Sequence, residues 1–178
     1  MDHLKRIYSI PFAGLKLGKH NFDYTINNSF FDEIENSLLK KALIDVSLIL
    51  DKHENMLILK FTSKGTISVE CDRCTELFEL PVESSNKLIV KLGSEEEDAG
   101  EDEIVVISRN ETFINIAPYI YEYVSLMVPL KKVHSTLKKC NQETITVLEK
   151  LTVKNSTKKT KNDTDPRWNV LKDFIKKN

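Results

Sequence analysis

Apolar and polar residues alternate along much of the chain before residue 107, a pattern that predicts strands with one buried face. The apolar members of the alternation are Ile44, Val46, Leu48 and Leu50, then Leu57, Leu59 and Phe61, then Phe78, Leu80 and Val82, then Leu88, Val90 and Leu92. Residues 104–107 form a short, continuously apolar run that suits a buried strand. The pattern therefore predicts a meander of four or five antiparallel strands.

Two stretches have the three-and-four spacing of short helices that pack on a sheet. Residues 27–29 offer N-cap side chains for a helix over about residues 30–40. A second helix is expected over about residues 117–128, because Pro118 suits its first turn and Pro129 ends it. Near the N-terminus, residues 8–26 predict two short strands joined by a glycine-containing turn.

Together these elements predict an α+β fold with an antiparallel, barrel-like β meander, two short packing helices and a flexible basic C-terminal tail. We expect one domain over residues 1–151, in which Gly65 interrupts the chain before the strand that leads to a Cys-x-x-Cys hairpin. Residues 152–164 lack apolar periodicity and are predicted to be a disordered linker. A short docking helix is predicted over residues 165–178, and its expected contact residues are Arg167, Trp168 and Leu171.

Charge is unevenly distributed although the net charge is only −1. Residues 131–178 have a balance of +8, and residues 1–130 have a balance of −9. A basic tail on an acidic body suits contact with phosphate, and a solvated, disordered tail is the alternative interpretation. Residues 95–103 contain seven carboxylates, which predict an exposed loop and lack the alternating ligands of an EF-hand.

Cysteine content and the absence of long apolar runs bear on the compartment. Three cysteines are too few for a disulfide scaffold and suit a reducing environment. Residues 1–6 lack an apolar run of signal-peptide length, and no segment approaches the roughly 18 apolar residues of a membrane span. We therefore expect a cytoplasmic protein with no membrane partner.

Cys71, Cys74, His134 and Cys140 are the strongest candidates for chemistry, because three thiolates and an imidazole can form a tetrahedral structural zinc site. The alternative is that Cys71 and Cys74 are reduced thiols at a hairpin tip and that His134 is exposed. A thioredoxin-like role is less favoured, because that motif normally opens a helix after a parallel strand. No phosphate loop, nucleophile elbow or metalloprotease motif is present, so nothing indicates an enzyme or a small-molecule substrate.

Several motifs, taken in order, resemble the YceD-like family, the group named for large ribosomal RNA subunit accumulation. They are Cys71-Asp72-Arg73-Cys74, the acidic loop, Asn115 leading to Tyr121-Glu122, Val128-Pro129-Leu130-Lys131-Lys132-Val133-His134 with Cys140 nearby, and Asp165-Pro166-Arg167-Trp168-Asn169-Val170-Leu171. The N-terminal segment 10–20 is similar to the Bacteroidetes-type branch.

The resemblance implies a bacterial, cytoplasmic, non-catalytic protein that supports 23S rRNA accumulation during assembly of the large ribosomal subunit. Its expected partner is precursor 23S rRNA or an assembly intermediate, with a ribosomal protein as a further candidate. The alternative is a protein–protein adaptor whose effect on rRNA is indirect and which carries a structural zinc site.

Five cations are the candidate RNA-binding residues, because each lies close in sequence to a candidate metal ligand. They are Arg73, Lys131, Lys132, Lys138 and Lys139. A guanidinium at a hairpin tip can bind phosphate with two hydrogen bonds. If zinc joined the two segments, the five cations would gather on one side of the molecule. Trp168 could stack on an unpaired base, although docking on a protein surface is its favoured role.

Overall fold

A computed structural model describes residues 2–93 and 104–152 of the chain. The acidic loop at 95–103 and the docking helix predicted at 165–178, with Arg167, Trp168 and Leu171, lie outside the described residues. So does the linker predicted at 152–164, apart from its first residue. The chain divides into two units, Met1–Asn141 and Gln142–Asn178. The predicted domain boundaries stay a prediction.

The first unit is built on a five-stranded sheet. Its strands are β2 (Gly18–Ile26), β3 (Ala42–Lys52), β4 (Met56–Glu70), β5 (Leu77–Leu92) and β6 (Ile104–Ile107), and they lie side by side in that order. The first four are antiparallel neighbours, as the alternation predicts. A second, two-stranded sheet pairs β1 (Ser9–Ile10) with β7 (Ile114–Asn115).

The α+β prediction is confirmed, and the structure refines the arrangement of the strands. β6 runs parallel to β5, with residues 89–92 opposite 104–107. In the described part of the chain the sheet is open, with β2 and β6 at its two edges. A four-residue apolar run indicates burial but carries no information about direction, so the sequence did not reveal the parallel pairing.

The core lies on one face of the sheet, where β3 and β4 contribute Ile44, Val46, Leu48, Leu50, Leu57, Leu59, Phe61 and Ile67. Three helices complete this unit: α1 (Asp2–Ile7), α2 (Asn28–Asp32) and α3 (Ala117–Leu126). Ring contacts join α3 to the sheet and to α2, with Tyr123 5.2 Å from Phe61 and Tyr121 6.5 Å from Phe31 between ring centroids. These contacts bury the apolar stripe of α3.

Helix α2 is much shorter than the helix predicted over 30–40. Asn27 caps it as expected, because its side chain accepts a hydrogen bond from the N–H of Ser29. Asn36, however, has a φ of 56°, and this left-handed conformation cannot continue a helix. Leu38, which the spacing placed on the buried face, is therefore 85% exposed.

Strands β4 and β5 are also longer than predicted. Gly65 does not interrupt the chain but lies inside β4, where an added Cβ would be 2.1 Å from the carbonyl oxygen of Leu43. β5 accommodates Pro81 because β6 covers only residues 89–92 and leaves the proline on an edge. The resulting long hairpin extends from the sheet to the cysteine turn.

The second unit contributes helix α4 (Gln142–Leu151), which the apolar spacing did not predict. Its described apolar side chains are partly or largely exposed, and they include Val147, Leu148 and Leu151. Among the described residues, none of the helices has the length and apolar character needed to cross a membrane.

Candidate metal centre

The first two candidate ligands lie in the turn between β4 and β5. The N–H of Cys71 donates to the carbonyl oxygen of Glu76 at 2.9 Å, and the N–H of Thr75 donates to the carbonyl oxygen of Cys71 at 2.8 Å. Thr75 has a φ of 61°, which reverses the chain after Cys74. This tight turn holds Cys71 and Cys74 beside each other, as the hairpin prediction required.

The other two candidate ligands follow helix α3. His134 lies in the extended segment after the helix, and Cys140 follows a single 3₁₀ turn, Leu137–Lys139. The N–H of Lys139 donates to the carbonyl oxygen of Thr136, and the N–H of Cys140 donates to that of Leu137, both at 3.1 Å. The 3₁₀ turn reverses the chain and lets Cys140 approach His134 across a gap of five residues.

Hydrogen bonds on both sides of the ligands fasten the two segments together. The N–H of Asp72 donates to the carbonyl oxygen of Lys132 at 2.7 Å, and the N–H of Lys132 donates to Asp72 Oδ2 at 2.6 Å. Asn141 Nδ2 donates to Glu76 Oε1 at 2.8 Å. The protein itself therefore brings the pair near residue 71 to the pair near residue 140.

The four donor atoms have the spacing of a tetrahedral metal site. His134 Nδ1 lies 3.6 Å from Cys74 Sγ and 3.6 Å from Cys140 Sγ. Zinc bonds of about 2.3 Å to sulfur and 2.0 Å to nitrogen would place such atoms roughly 3.6 Å apart. All four donors, including Cys71 Sγ, lie within 4.8 Å of one another. The donor set and its geometry therefore fit a tetrahedral metal ion.

Burial distinguishes this cluster from a group of surface thiols. The three cysteine side chains are buried, and His134 is only 9% exposed. The imidazole also packs on Phe78, with ring centroids 4.5 Å apart. The alternative in which His134 is exposed is therefore wrong. The thioredoxin-like arrangement is absent too, since Cys71 follows an antiparallel strand and does not open a helix.

The three thiols are buried close together, so several of them can ionise at the same time only if neighbouring groups stabilise the negative charge. Burial raises the pKa of Cys71, but hydrogen bonds from the backbone N–H groups of Arg73, His134 and Cys74, together with the His134 side chain, lower it to about 6. The pKa of Cys140 is raised by burial and by the neighbouring Cys74 and Cys71 thiols. A cation between the sulfur atoms would favour the thiolate forms that bind metal.

We expect Asp72→Ala to weaken zinc binding by roughly 10–100-fold, the usual cost of losing a residue that positions ligands. The substitution removes the acceptor for the N–H of Lys132, which leads into the His134 segment. Asp72→Asn keeps an acceptor oxygen and should bind zinc nearly as tightly as the unsubstituted chain. Competition with a chromophoric chelator measures both affinities, and equal losses in the two variants would contradict the positioning role.

All five candidate RNA-binding cations lie within three residues of a candidate ligand. Lys131, Lys138 and Lys139 are exposed, whereas Arg73 and Lys132 are half-buried. Lys132 Nζ also lies 3.9 Å from Asp72 Oδ1. Convergence of the ligands therefore brings the cations of two distant segments to one region, and RNA contact by them stays a prediction.

Two supporting residues were not identified from the sequence. Asp72 lies within the Cys-x-x-Cys motif, where a polar residue is expected in a turn and does not indicate a special role. Its hydrogen-bond partner, Lys132, is sixty residues away in the chain. Phe78 belongs to the alternating pattern of β5 and reads as an ordinary core residue. Their roles depend on the second segment, so no local signal could have revealed them.

Fold and site together define a small α+β protein with a Cys₃His cluster at a hairpin tip whose geometry fits a tetrahedral metal ion. The family model for the large ribosomal RNA subunit accumulation protein YceD matches residues 59–175, well over half of the chain, and the chain belongs to that family. The match contains all four ligands. Comparison with curated proteins and with solved structures finds no match. The Bacteroidetes-type assignment depends on residues before the match and stays a prediction.

Proposed function

We propose that this protein is a non-catalytic factor that binds precursor 23S rRNA, or an early particle containing it, during assembly of the large ribosomal subunit in the cytoplasm. Family membership supports the process, since the family description links the protein to large-subunit rRNA accumulation. The single observation that supports direct binding is that the four candidate ligands meet, since all five cations lie within three residues of one of them in the chain.

We infer that zinc occupies the centre and has a structural role. Cys71, Cys74, His134 and Cys140 would hold it, and the donor set leaves no position for substrate. Bound zinc would supply a cross-link between the β4–β5 turn and the segment after α3. The hydrogen bonds of Asp72 then fix the orientation of that cross-link.

The electrostatic argument concerns phosphate. Lys131, Lys138 and Lys139 are exposed and are carried by short segments that the metal centre would immobilise. Cations held in one orientation lose less entropy on binding than cations on a mobile chain. Arg73 lies between two ligands in the same turn, where its fork of N–H groups can bind one phosphate with two hydrogen bonds.

Arg73→Glu is expected to weaken binding to a precursor 23S rRNA transcript and to reduce the salt dependence of that binding. Loss of one phosphate contact should lower the slope of log affinity against log salt by roughly 1. Filter binding of the zinc-loaded chain at several salt concentrations measures the slope. The matched control is Lys19→Glu, a charge reversal of an exposed lysine on edge strand β2.

Equal affinity and slope in the Arg73 variant and the unsubstituted chain would contradict the assignment of this surface. In cells, the protein should sediment with particles lighter than the mature large subunit and leave them at higher salt. Protein found only at the top of the gradient would instead favour the adaptor function, in which the effect on rRNA is indirect.

A further inference from the structure

A groove of about 620 Å³ lies beside the metal centre, and it shares only Lys132 with the proposed RNA surface. The segment 38–41 forms one wall, and the ends of β4 and α3 form the others. Its volume is within the range of roughly 300–1,000 Å³ that is typical of ligand pockets. The early end of α2 creates this groove, because segment 38–41 then runs outside the helix.

The apolar lining of the groove is aliphatic and partly exposed. Leu38 and Leu77 are 85% and 64% exposed, whereas Val69 is buried at the floor. Large aliphatic side chains that are this exposed and share one concave surface are typical of an interaction site. No aromatic side chain is among the described residues that line the groove.

Charge at the groove is predominantly positive. Lys40, Lys41 and Lys132 contribute three cations from two separate segments, and Glu70 is the single acidic residue among the described lining. Lys40 and Lys41 are exposed and form no ion pair within the described part of the chain. An occupant with apolar side chains and carboxylates would match both features.

The floor of the groove also includes a one-residue gap in the backbone pairing of β4, at Glu70, because the N–H of Ser68 pairs with Lys41 on one side of it and the N–H of Asp72 pairs with Lys132 on the other. Pairing of β3 with β4 ends at Ala42 and Ile67, followed by one bond from the N–H of Ser68 to the carbonyl oxygen of Lys41. The N–H of Cys71 faces β5, so the backbone N–H and C=O of Glu70 face the opposite side by strand alternation. No described backbone group pairs with Glu70 on that side.

We propose that this groove binds an extended, acidic segment of a partner protein, whose backbone pairs with Glu70 at the end of β4. Its apolar side chains enter the aliphatic groove, and its carboxylates meet Lys40, Lys41 and Lys132. Binding of this kind combines a main-chain hydrogen bond with side-chain pockets and complementary charge.

Single-stranded RNA fits the same surface less well. Unpaired bases are usually held by stacking on aromatic rings or guanidinium planes, and the groove lining offers aliphatic side chains and lysines instead. The unpaired backbone N–H and C=O of Glu70 match the backbone of a peptide, whereas its carboxylate repels phosphates and peptide carboxylates alike. The observations therefore favour a peptide segment.

The test uses the full-length, zinc-loaded chain and a fluorescent synthetic peptide in which leucine or valine alternates with aspartate or glutamate. The double variant Lys40→Glu/Lys41→Glu should weaken binding of this peptide by at least about tenfold. The matched control Lys60→Glu/Lys87→Glu changes the same charge on exposed positions of β4 and β5 and should leave affinity within about twofold. Fluorescence anisotropy measures each affinity.

A second probe tests the backbone contact at Glu70. A peptide of the same sequence with N-methyl groups on alternate residues cannot pair along one edge, and it should lose most of the affinity. Equal binding of both peptides, no binding of either, or equal effects of the two lysine pairs would overturn the proposal. It would also be overturned if oligouridylate bound with the same Lys40/Lys41 dependence, or if the chain dimerised through these lysines. None of these outcomes depends on Arg73, so RNA binding is tested separately.

Discussion

A Cys74→Ser variant is expected to lose its zinc and to melt well below the unsubstituted chain. Serine supplies a neutral hydroxyl in place of a thiolate, and it leaves three donors where a tetrahedral site needs four. Zinc affinity should fall by more than the roughly 100-fold upper cost of losing a supporting residue. With zinc at about a thousand times the original Kd, a 100-fold weaker site loses about 2.7 kcal/mol of unfolding free energy, and complete loss of zinc binding removes roughly 4 kcal/mol.

Elemental analysis after dialysis and thermal melting with and without added zinc measure both effects. Two histidine variants form a matched pair: His134→Gln should lose zinc, whereas His53→Gln should keep it, because the His53 side chain is 49% exposed in a turn. The unsubstituted chain should contain one zinc ion per molecule. A metal-free chain whose melting temperature does not respond to zinc would contradict the structural zinc site.

Gly65→Ala should destabilise the fold by about 3 kcal/mol and lower the melting temperature by roughly 6–12 °C. A Cβ at this position would lie 2.1 Å from Leu43 O, 2.9 Å from Leu43 C and 2.7 Å from Ile44 Cα. All three atoms belong to the backbone of β3, which cannot move aside without breaking its pairing with β4. The added methyl group therefore separates the two central strands of the sheet.

Gly14→Ala is the matched control for that substitution. Apart from its two chain neighbours, no heavy atom of the described residues lies within 4 Å of a Cβ built at Gly14, and its φ is outside the left-handed range. Its melting temperature should stay within a few degrees of the unsubstituted chain, or rise slightly through a smaller entropy of the unfolded state. Urea unfolding of both variants gives the free energies, and equal stability of the two would show that β3 and β4 can separate freely at Gly65.

Much of the sheet could be predicted because strand alternation is a local property. Leu48, for example, is apolar because its side chain faces the core, and the residues two positions before and after it in the strand face the core as well. Helix length was less predictable, since α2 ends at Asp32 and the left-handed conformation of Asn36 prevents a helix from continuing to residue 40, a backbone property that apolar spacing does not encode. The direction of β6 depends on the connection across residues 94–103 and was not predictable from four apolar residues.

The candidate metal site was likewise predictable from the sequence only in part. Residue chemistry alone selected Cys71, Cys74, His134 and Cys140, because few side chains in the sequence can bind zinc. The first pair could be placed at a hairpin tip from the flanking alternation. The approach of the second pair could not, because it depends on the 3₁₀ turn and on the contacts of Asp72 across sixty residues.

The sequence by itself determined the α+β class, the presence of a cysteine hairpin and the four candidate donors, since these depend on periodicity, turn residues and side-chain chemistry within short stretches. Only the tertiary structure decided that the donors meet, that the nearby cations share a region, and that Leu38 and Lys41 border a groove. The physical reason is that the meeting of distant segments depends on packing and on hydrogen bonds between residues far apart in the chain, which no local pattern contains.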